Sequence, residues 1–321
     1  MRRVPDEGPL KAAVIGAGAF GRYHCTKLRA VPGIELVAVA DLSTETRRKA
    51  AAEFGVRAVA DWRELLGKVD IVSVSSPAVT HAAISRAFLA AGAHVLVEKP
   101  IATTLAEAND LVAMARRAGR VLTVGHQERF VFARAGLLDQ PVRPLEIECW
   151  RRGPWTGRGD DVSAVLDLMI HDLDLVHTMV DSQVEEVGAL GTSEYGPLSD
   201  EVTAEVRFAD GTVARFDTSR IATARKRGFR ARYADGVVEI DFLSRKISNT
   251  TPRPLQPLET SDPLADSIAA FVTAVRGGGT PMVLPEQAAL ALKTALLIEE
   301  AAEAAMPAAA RALYGRIAVA G

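Results

Sequence analysis

Between a short apolar run, Lys11–Ile15, and a helical pattern that begins near Phe20 lies the segment Gly16-Ala17-Gly18-Ala19-Phe20-Gly21. Glycines at this spacing suit a turn that cradles phosphate. Gly16 permits the tight bend, Gly18 lets the backbone approach a pyrophosphate, and Gly21 lets helix and strand pack closely. The N-terminus of the following helix, expected near Phe20, adds positive potential, and Ala19 and Phe20 beside it are expected cofactor contacts. Twenty residues beyond Gly21, Asp41 follows the run Glu35–Ala40. A carboxylate there accepts hydrogen bonds from an adenosine ribose and repels a 2′-phosphate, so the expected cofactor is NAD rather than NADP. No Arg or Lys stands immediately after Asp41, although Arg47 and Arg48 are near in sequence. A bare glycine turn or an S-adenosylmethionine site would not call for the strand, the helix and the spaced Asp together.

Two further groups of residues could carry chemistry. The run His94–Val97 ends in Glu98-Lys99-Pro100. Ligands of open parallel sheets bind outside the carboxyl ends of the strands, so Lys99 is expected to point towards the nicotinamide cleft. A helical pattern spans Val162 to Val180. At about 100° per residue, Val162, Val165, Met169, Leu173, Val176 and Val180 fall on one side, and Ser163, Asp167, His171, Asp174 and Thr178 on the other. Asp167 and His171, four apart, are stacked neighbours. Solvated faces usually carry Lys, Glu, Arg or Gln, whereas small polar groups, carboxylates and a histidine suit a face around a substrate. His171, Asp172, Asp174 and His177 share no single face and match no open-site zinc motif, so no metal is expected.

The elements that must position these groups form two regions. From Leu10 to Val124, β-rich runs (Lys11–Ile15, Glu35–Ala40, Val69–Val74, His94–Val97, Val121–Val124) alternate with helical patterns near Phe20–Ala30, Thr44–Phe54, His81–Ala91 and Leu105–Ala118. That alternation predicts an α/β fold with a doubly covered parallel sheet, a Rossmann dinucleotide-binding domain over residues 1–124. Residues 125–321 predict an α+β domain with a mostly antiparallel open sheet. Its strand-like runs are Leu145–Arg151, Glu201–Phe208, Thr212–Ser219, Phe229–Tyr233 and Val237–Phe242, with hairpin signals at Asp210-Gly211 and Asp235-Gly236. Helical patterns at Pro263–Arg276 and Pro285–Ala302 close the chain ahead of an Ala-rich tail.

Composition limits the function classes. With 38 Lys and Arg against 40 Asp and Glu, the net charge is −2, which offers no electrostatic footprint for nucleic acid. The opening MRRVPDEGPL holds no apolar signal core and no run approaches the roughly 18 apolar residues of a spanning helix, so a cytoplasmic protein is expected. Cys25 and Cys149 match no metal spacing or disulfide framework and are expected to be reduced, structural thiols.

Taken together, the motifs resemble the glucose-fructose oxidoreductase, inositol dehydrogenase and rhizopine-catabolism (Gfo/Idh/MocA) family of NAD(P)-dependent sugar and cyclitol oxidoreductases. The resemblance rests on Gly16–Gly21, on Ser76-Pro77 with His81, on Glu98-Lys99-Pro100, and on Asp167 with His171 in DLMIHDLDL. It implies cofactor contacts from Ser76, Pro77, His81, Glu98 and Lys99, catalytic roles for Lys99, Asp167 and His171, and a homodimer or homotetramer built on the second domain's sheet. Within the family, DLMIHDLDL preceded by Arg152-Gly153-Pro154-Trp155 is similar to members that oxidise position 3 of UDP-N-acetylglucosamine. Those members tend to read Asn-Pro where Val131 and Phe132 follow His126-Gln127-Glu128-Arg129-Phe130 here. A free cyclitol or monosaccharide as substrate, or a non-catalytic NAD-binding sensor, are the competing readings, and a sensor has no need of Lys99, Asp167 and His171 together. In the expected reaction His171 accepts the hydroxyl proton while hydride passes to the nicotinamide, Asp167 orients the ring, and Lys99 favours the developing alkoxide. The reverse assignment, Lys99 as base and His171 as orienter, is equally compatible with the residues. His126, Arg129, Arg152 and Trp155 are the candidate substrate contacts, because arginine forks suit diphosphate and an aromatic ring stacks on sugar or uracil.

Overall fold

The computed structural model describes residues 8–138, 140–157, 161–258 and 262–305. The opening seven residues, read above as lacking a signal core, and most of the Ala-rich tail lie outside the described residues. In chain order the elements are β1 (Leu10–Ile15), α1 (Ala19–Ala30), β2 (Ile34–Ala40), α2 (Thr44–Phe54), β3 (Arg57–Val59), β4 (Ile71–Val74), α3 (His81–Ala90), β5 (His94–Val97), α4 (Leu105–Ala118), β6 (Leu122–Val124) and α5 (Glu128–Ala135). There follow β7 (Glu146–Arg152), α6 (Ile170–Met179), β8 (Val184–Thr192), β9 (Glu201–Phe208), β10 (Val213–Ser219), β11 (Lys226–Tyr233), β12 (Gly236–Asp241), β13 (Lys246–Asn249), α7 (Pro263–Val275) and α8 (Pro285–Ala305). They sort into two compact units. One holds the described residues up to Phe130 with Asp262–Ala289, the other those of Val131–Ser261 with Leu290 onward.

The first unit is built on a parallel sheet of order β3-β2-β1-β4-β5-β6. Strand order reverses between β1 and β4, and ligands of such sheets bind beyond the strand ends at that reversal. β1, β4 and β5 are apolar and buried apart from Lys11 and His94 near their starts and the buried Ser73, as strands covered by helices on both faces require. Helices α2 and α4 start and stop on local signals. Ser43 and Thr104 accept from Thr46 N and Glu107 N, and Gly55 and Gly119 close the helices in the left-handed region. The helix expected at Pro263–Arg276 forms as α7, but the expected division at residue 124 assigns it to the second domain, whereas it packs in the first unit. Leu264, Ile268, Phe271, Val272 and Val275 join the core cluster of Val14, Leu28, Val39 and Leu96. The helix is pinned by an ion pair of Lys27 with Asp262 and by Arg276 Nη2 donating to Pro32 O and Gly33 O, both at 3.0 Å.

The second unit is built on a seven-stranded sheet of order β13-β12-β11-β7-β10-β9-β8. Only β10 and β7 pair in parallel, and the other neighbours run antiparallel. Asp210-Gly211 and Asp235-Gly236 make the predicted hairpins, with Gly211 at φ 87° and Gly236 at φ 152°. Edge strands β3, β8 and β13 went unread: two are only three and four residues long, and β8 carries Gly188 and Gly191 and stays half-buried or exposed throughout. One sheet face is covered. Phe132 packs edge-on to Phe229 at 4.9 Å and stacks on Phe242 at 6.0 Å. The helix expected from Val162 to Val180 is not regular. Val165–Met169 forms a wide turn in which Ile170 N–H bonds Val165 O, five residues back, before α6 begins.

If α7 completes the first core, Phe271→Ala should cost about 3–5 kcal/mol, since a fully buried aromatic side chain is lost. Urea unfolding measures this. A loss well under about 1 kcal/mol would separate α7 from that core.

Candidate active-site residues

In the first unit the glycine loop joins β1 to α1. Gly16 sits at φ 87°, and a Cβ there would lie 2.6 Å from the Ser75 carbonyl. One on Gly21 would lie 1.8 Å from Gly16 O, so both positions exclude a side chain. Nothing lies within 4 Å of where a Cβ on Gly18 would point. That opening beside the N-terminus of α1 is the room a pyrophosphate needs. Asp41 accepts from Ala17 N through Oδ2 and from Ser43 N through Oδ1, both at 2.8 Å, so its carboxylate is held at the loop with lone pairs left for ribose hydroxyls. Arg47 donates to Leu42 O at 2.9 Å and to Asp41 O at 3.4 Å. Phe20 is 42% exposed, with Ala19 beside it. These residues fit a bound dinucleotide, which supplies the hydride acceptor.

Ser76, Pro77 and His81 cluster after β4, though His81 faces inward. Its ring is 1% exposed, with Nδ1 2.8 Å from Pro100 O and Nε2 2.9 Å from Ser76 O. The ring therefore ties the loop after β4 to the one after β5. Burial pulls its pKa below the ordinary histidine range against the two carbonyls, which favour the charged ring. Glu98 is also buried. Its Oε1 lies 3.0 Å from both His24 Nε2 and Gln127 Nε2, and His24 Nδ1 lies 2.7 Å from Ser73 Oγ. Burial alone would raise this carboxyl. The His24 hydrogen bond and the charges of His24, Lys99 and His81 outweigh it and hold Glu98 below the usual carboxylate range. Lys99, half-buried, follows directly. His24, Ser73 and Gln127 were missed from sequence. The one available signal was a histidine on the buried side of α1, beside Gly21, Cys25 and Leu28.

Cys25 and Cys149 are free and buried. Burial pushes the Cys25 thiol up to about 12 and raises Cys149 as well, so neither offers a thiolate near neutral pH.

In the second unit Asp167 lies in the wide turn and His171 in the first turn of α6. Both are half-buried, and His171 Nδ1 is shielded from solvent. The six apolar residues expected to face the core are all buried. Ser163 and Asp174 are buried too, so only part of the polar face is open. Ser163 Oγ instead caps Leu166 N at 3.2 Å and bonds Glu299. Asp172 is held by Arg151 at 2.7 and 3.1 Å, and His177 Nε2 meets Thr294 Oγ1 at 2.7 Å.

Asp167 lines a cavity of about 250 Å³ with Arg152, Trp155, Arg220 and Arg225. Of the four candidate substrate contacts, Arg152 and Trp155 therefore reach this cavity. Arg152 pairs with Glu201 at 2.7 Å and with Asp217. Trp155 stacks on Tyr195 at 4.9 Å, and the Arg220 guanidinium lies 4.9 Å from its ring centre, so the ring is already engaged by protein. His126 and Arg129 belong to the first unit and are only 1% and 2% exposed. Arg129 donates to Gln287 Oε1 at 2.7 Å and Met282 O at 3.3 Å, anchoring the start of α8.

The loop geometry makes a testable statement about the cofactor. Asp41→Ala should weaken NAD binding by about tenfold and relax discrimination against NADP, as expected for a charged acceptor lost from the ribose. Titration of both cofactors by fluorescence checks this, and an unchanged preference would remove Asp41 from ribose recognition.

Comparison with known proteins converges on one family. Residues 10–126 match its NAD-binding Rossmann-fold domain, described as an oxidoreductase family, and residues 137–239 match the Gfo/Idh/MocA C-terminal domain. The chain is 34% identical over 239 residues to UDP-N-acetylglucosamine 3-dehydrogenase of Acidithiobacillus ferrooxidans, covering 74% of this chain and 76% of that one. A solved structure of that enzyme superposes with a TM-score of 0.85 at 31% identity, covering 92% and 98% of the two chains. This chain is 33% identical over 227 residues to inositol 2-dehydrogenase of Acidothermus cellulolyticus, covering 65% of this chain and 66% of that one. The structure of GenD2 from gentamicin A biosynthesis, in complex with NAD, aligns with a TM-score of 0.80 at 25% identity over 94% and 96%. With both domains matched and the dinucleotide loop in place, the chain belongs to the Gfo/Idh/MocA family and is an NAD-binding sugar oxidoreductase.

Proposed function

We propose that the protein oxidises a hydroxyl of a nucleotide sugar to a ketone with NAD, the substrate supported best being UDP-N-acetylglucosamine and the position C3. The observation that carries this reading is Asp167 on the wall of a cavity otherwise rich in arginine, within a chain similar over most of its length to a UDP-N-acetylglucosamine 3-dehydrogenase. An arginine-lined cavity suits an anionic substituent, which a cyclitol lacks.

When bound, NAD accepts the hydride from the carbon undergoing oxidation. His171 takes the hydroxyl proton, a task an imidazole performs near neutral pH because its reference pKa is about 6.5. Asp167 orients that ring and stabilises its charged form. Lys99 stabilises the negative charge developing on the oxygen. The homo-oligomer implied by the resemblance is supported by the open side of the seven-stranded sheet, where an open trough of about 1110 Å³ is lined by Trp150, Leu190, Glu205 and Arg215.

His171→Ala should lower kcat by about 10²–10⁴-fold while leaving NAD affinity unchanged. Reduced-nicotinamide absorbance over a panel of UDP-N-acetylglucosamine, UDP-glucose, N-acetylglucosamine, glucose and myo-inositol, with an aminotransferase to trap the ketone, checks activity and substrate together. Normal turnover in the variant would remove His171 from the mechanism, and turnover of myo-inositol alone would replace the substrate.

A further inference from the structure

Among the described residues, the cavity beside Asp167 is lined by more cationic than anionic side chains. Where β7 pairs with β11, Arg152 lies opposite Lys226 and Arg151 opposite Arg227, two successive cross-strand pairs of like charge. Like charges directly opposite one another destabilise a sheet. Three of the guanidiniums around the cavity have carboxylates. Arg151 is held by Asp172 at 2.7 Å, Arg152 by Glu201 at 2.7 Å and by Asp217, and Arg220 by Asp200 at 2.6 Å. Arg225 and Lys226 both line the same cavity, both are exposed, and among the described residues neither has an anionic partner. Arg225 and Lys226 are thus exposed cations adjacent in the chain, at the start of β11, on the cavity that contains Asp167, beside Arg227, whose guanidinium lies 5.6 Å from the Phe242 ring centre.

We infer that Arg225 and Lys226 form a subsite for the phosphate oxygens of the substrate. This deepens the proposed function and rests on it for the place of Asp167 in the reaction. An arginine fork with an adjacent ammonium matches the geometry and charge of a diphosphate, the fork directionally and the ammonium as a point charge. Binding there, remote from the carbon undergoing oxidation, orients the sugar, so the two side chains select phosphate-bearing sugars over free ones. The walls facing the subsite set the sign. Arg152 and Arg220 are neutralised by their carboxylates, while Asp167 stands on the wall as the group reserved for the reacting end.

The test is calorimetric binding of UDP, which cannot react, to the full chain with NAD saturating so that the glycine loop is occupied. Wild-type protein should bind UDP, and N-acetylglucosamine 1-phosphate more weakly. Arg225→Gln with Lys226→Gln should weaken UDP by about tenfold or more, as for the loss of two charge-assisted contacts, and flatten the salt dependence. The charge-retaining pair Arg225→Lys with Lys226→Arg should recover most of the affinity. Circular dichroism and unchanged NAD affinity establish that the variants are folded. Undetectable UDP binding by wild-type protein, equal binding by the Gln pair, or binding of glucuronate in place of UDP would each overturn the subsite. Its failure is separable from that of the substrate reading. If wild-type protein turns over a phosphate-bearing sugar other than UDP-N-acetylglucosamine while UDP binding depends on the two side chains, the subsite stands and the substrate changes; turnover of myo-inositol alone overturns both. If UDP-N-acetylglucosamine is oxidised with the same KM after both Gln substitutions, the substrate stands and the subsite falls.

Discussion

Glu98 holds the first unit's candidate site residues in place. A carboxylate removed from water costs several kcal/mol unless it is paired and hydrogen-bonded, and this one meets the demand with His24 from α1 and Gln127 from the loop after β6. One buried anion thus joins the cofactor-binding helix, the end of β5 and the segment beyond β6. Gly125 is part of the same constraint, because a Cβ there would lie 2.4 Å from Glu98 Oε1. Lys99 takes its position from this arrangement. The His81 bridge from Ser76 O to Pro100 O fixes the neighbouring loop to the same point.

The second unit uses the same device at its own site. Asp200 accepts from Glu194 N and Tyr195 N at 2.7 and 2.8 Å and from Arg220, whose Nη1 also donates to Val162 O at 2.9 Å. That chain of bonds anchors the approach to the wide turn bearing Asp167. Arg151 with Asp172 anchors the turn's far side to β7. Both pairs are buried, where removing one partner strands a charge and costs far more than the pair itself contributes. The wide turn between them is a departure from regular helix of the kind that recurs where a side chain must be re-aimed.

The Rossmann domain and its glycine turn were legible in the sequence because their requirements are local. Gly16 and Gly21 stand where backbone conformation and close approach exclude a side chain, at fixed offsets from Gly18 and Asp41, and strand, turn and helix follow one another without interruption. The parallel sheet was legible for a similar reason: strands covered on both faces read as continuous apolar runs. The weaker readings came where local pattern underdetermines contact. Periodicity put Ser163 and Asp174 on an open polar face, yet both are buried, because the helix is packed on nearly all sides. Arg129, which in sequence could have met a diphosphate, is enclosed and spent on Gln287 and Met282, residues more than 150 positions away.

By itself, then, the chain indicated the cofactor class and most of the sheet-forming segments, since these follow from residue types at short, fixed spacings, while the candidate catalytic set Lys99, Asp167 and His171 came with the family resemblance. Tertiary structure alone decided which charges are compensated and which are not. The return of α7 to the first core, the His24–Glu98 contact across 74 positions, and the sorting of Arg151, Arg152 and Arg220 from Arg225 and Lys226 all depend on partners distant in sequence. Charge pairing acts over a few ångströms of space, and linear spacing carries no record of that distance.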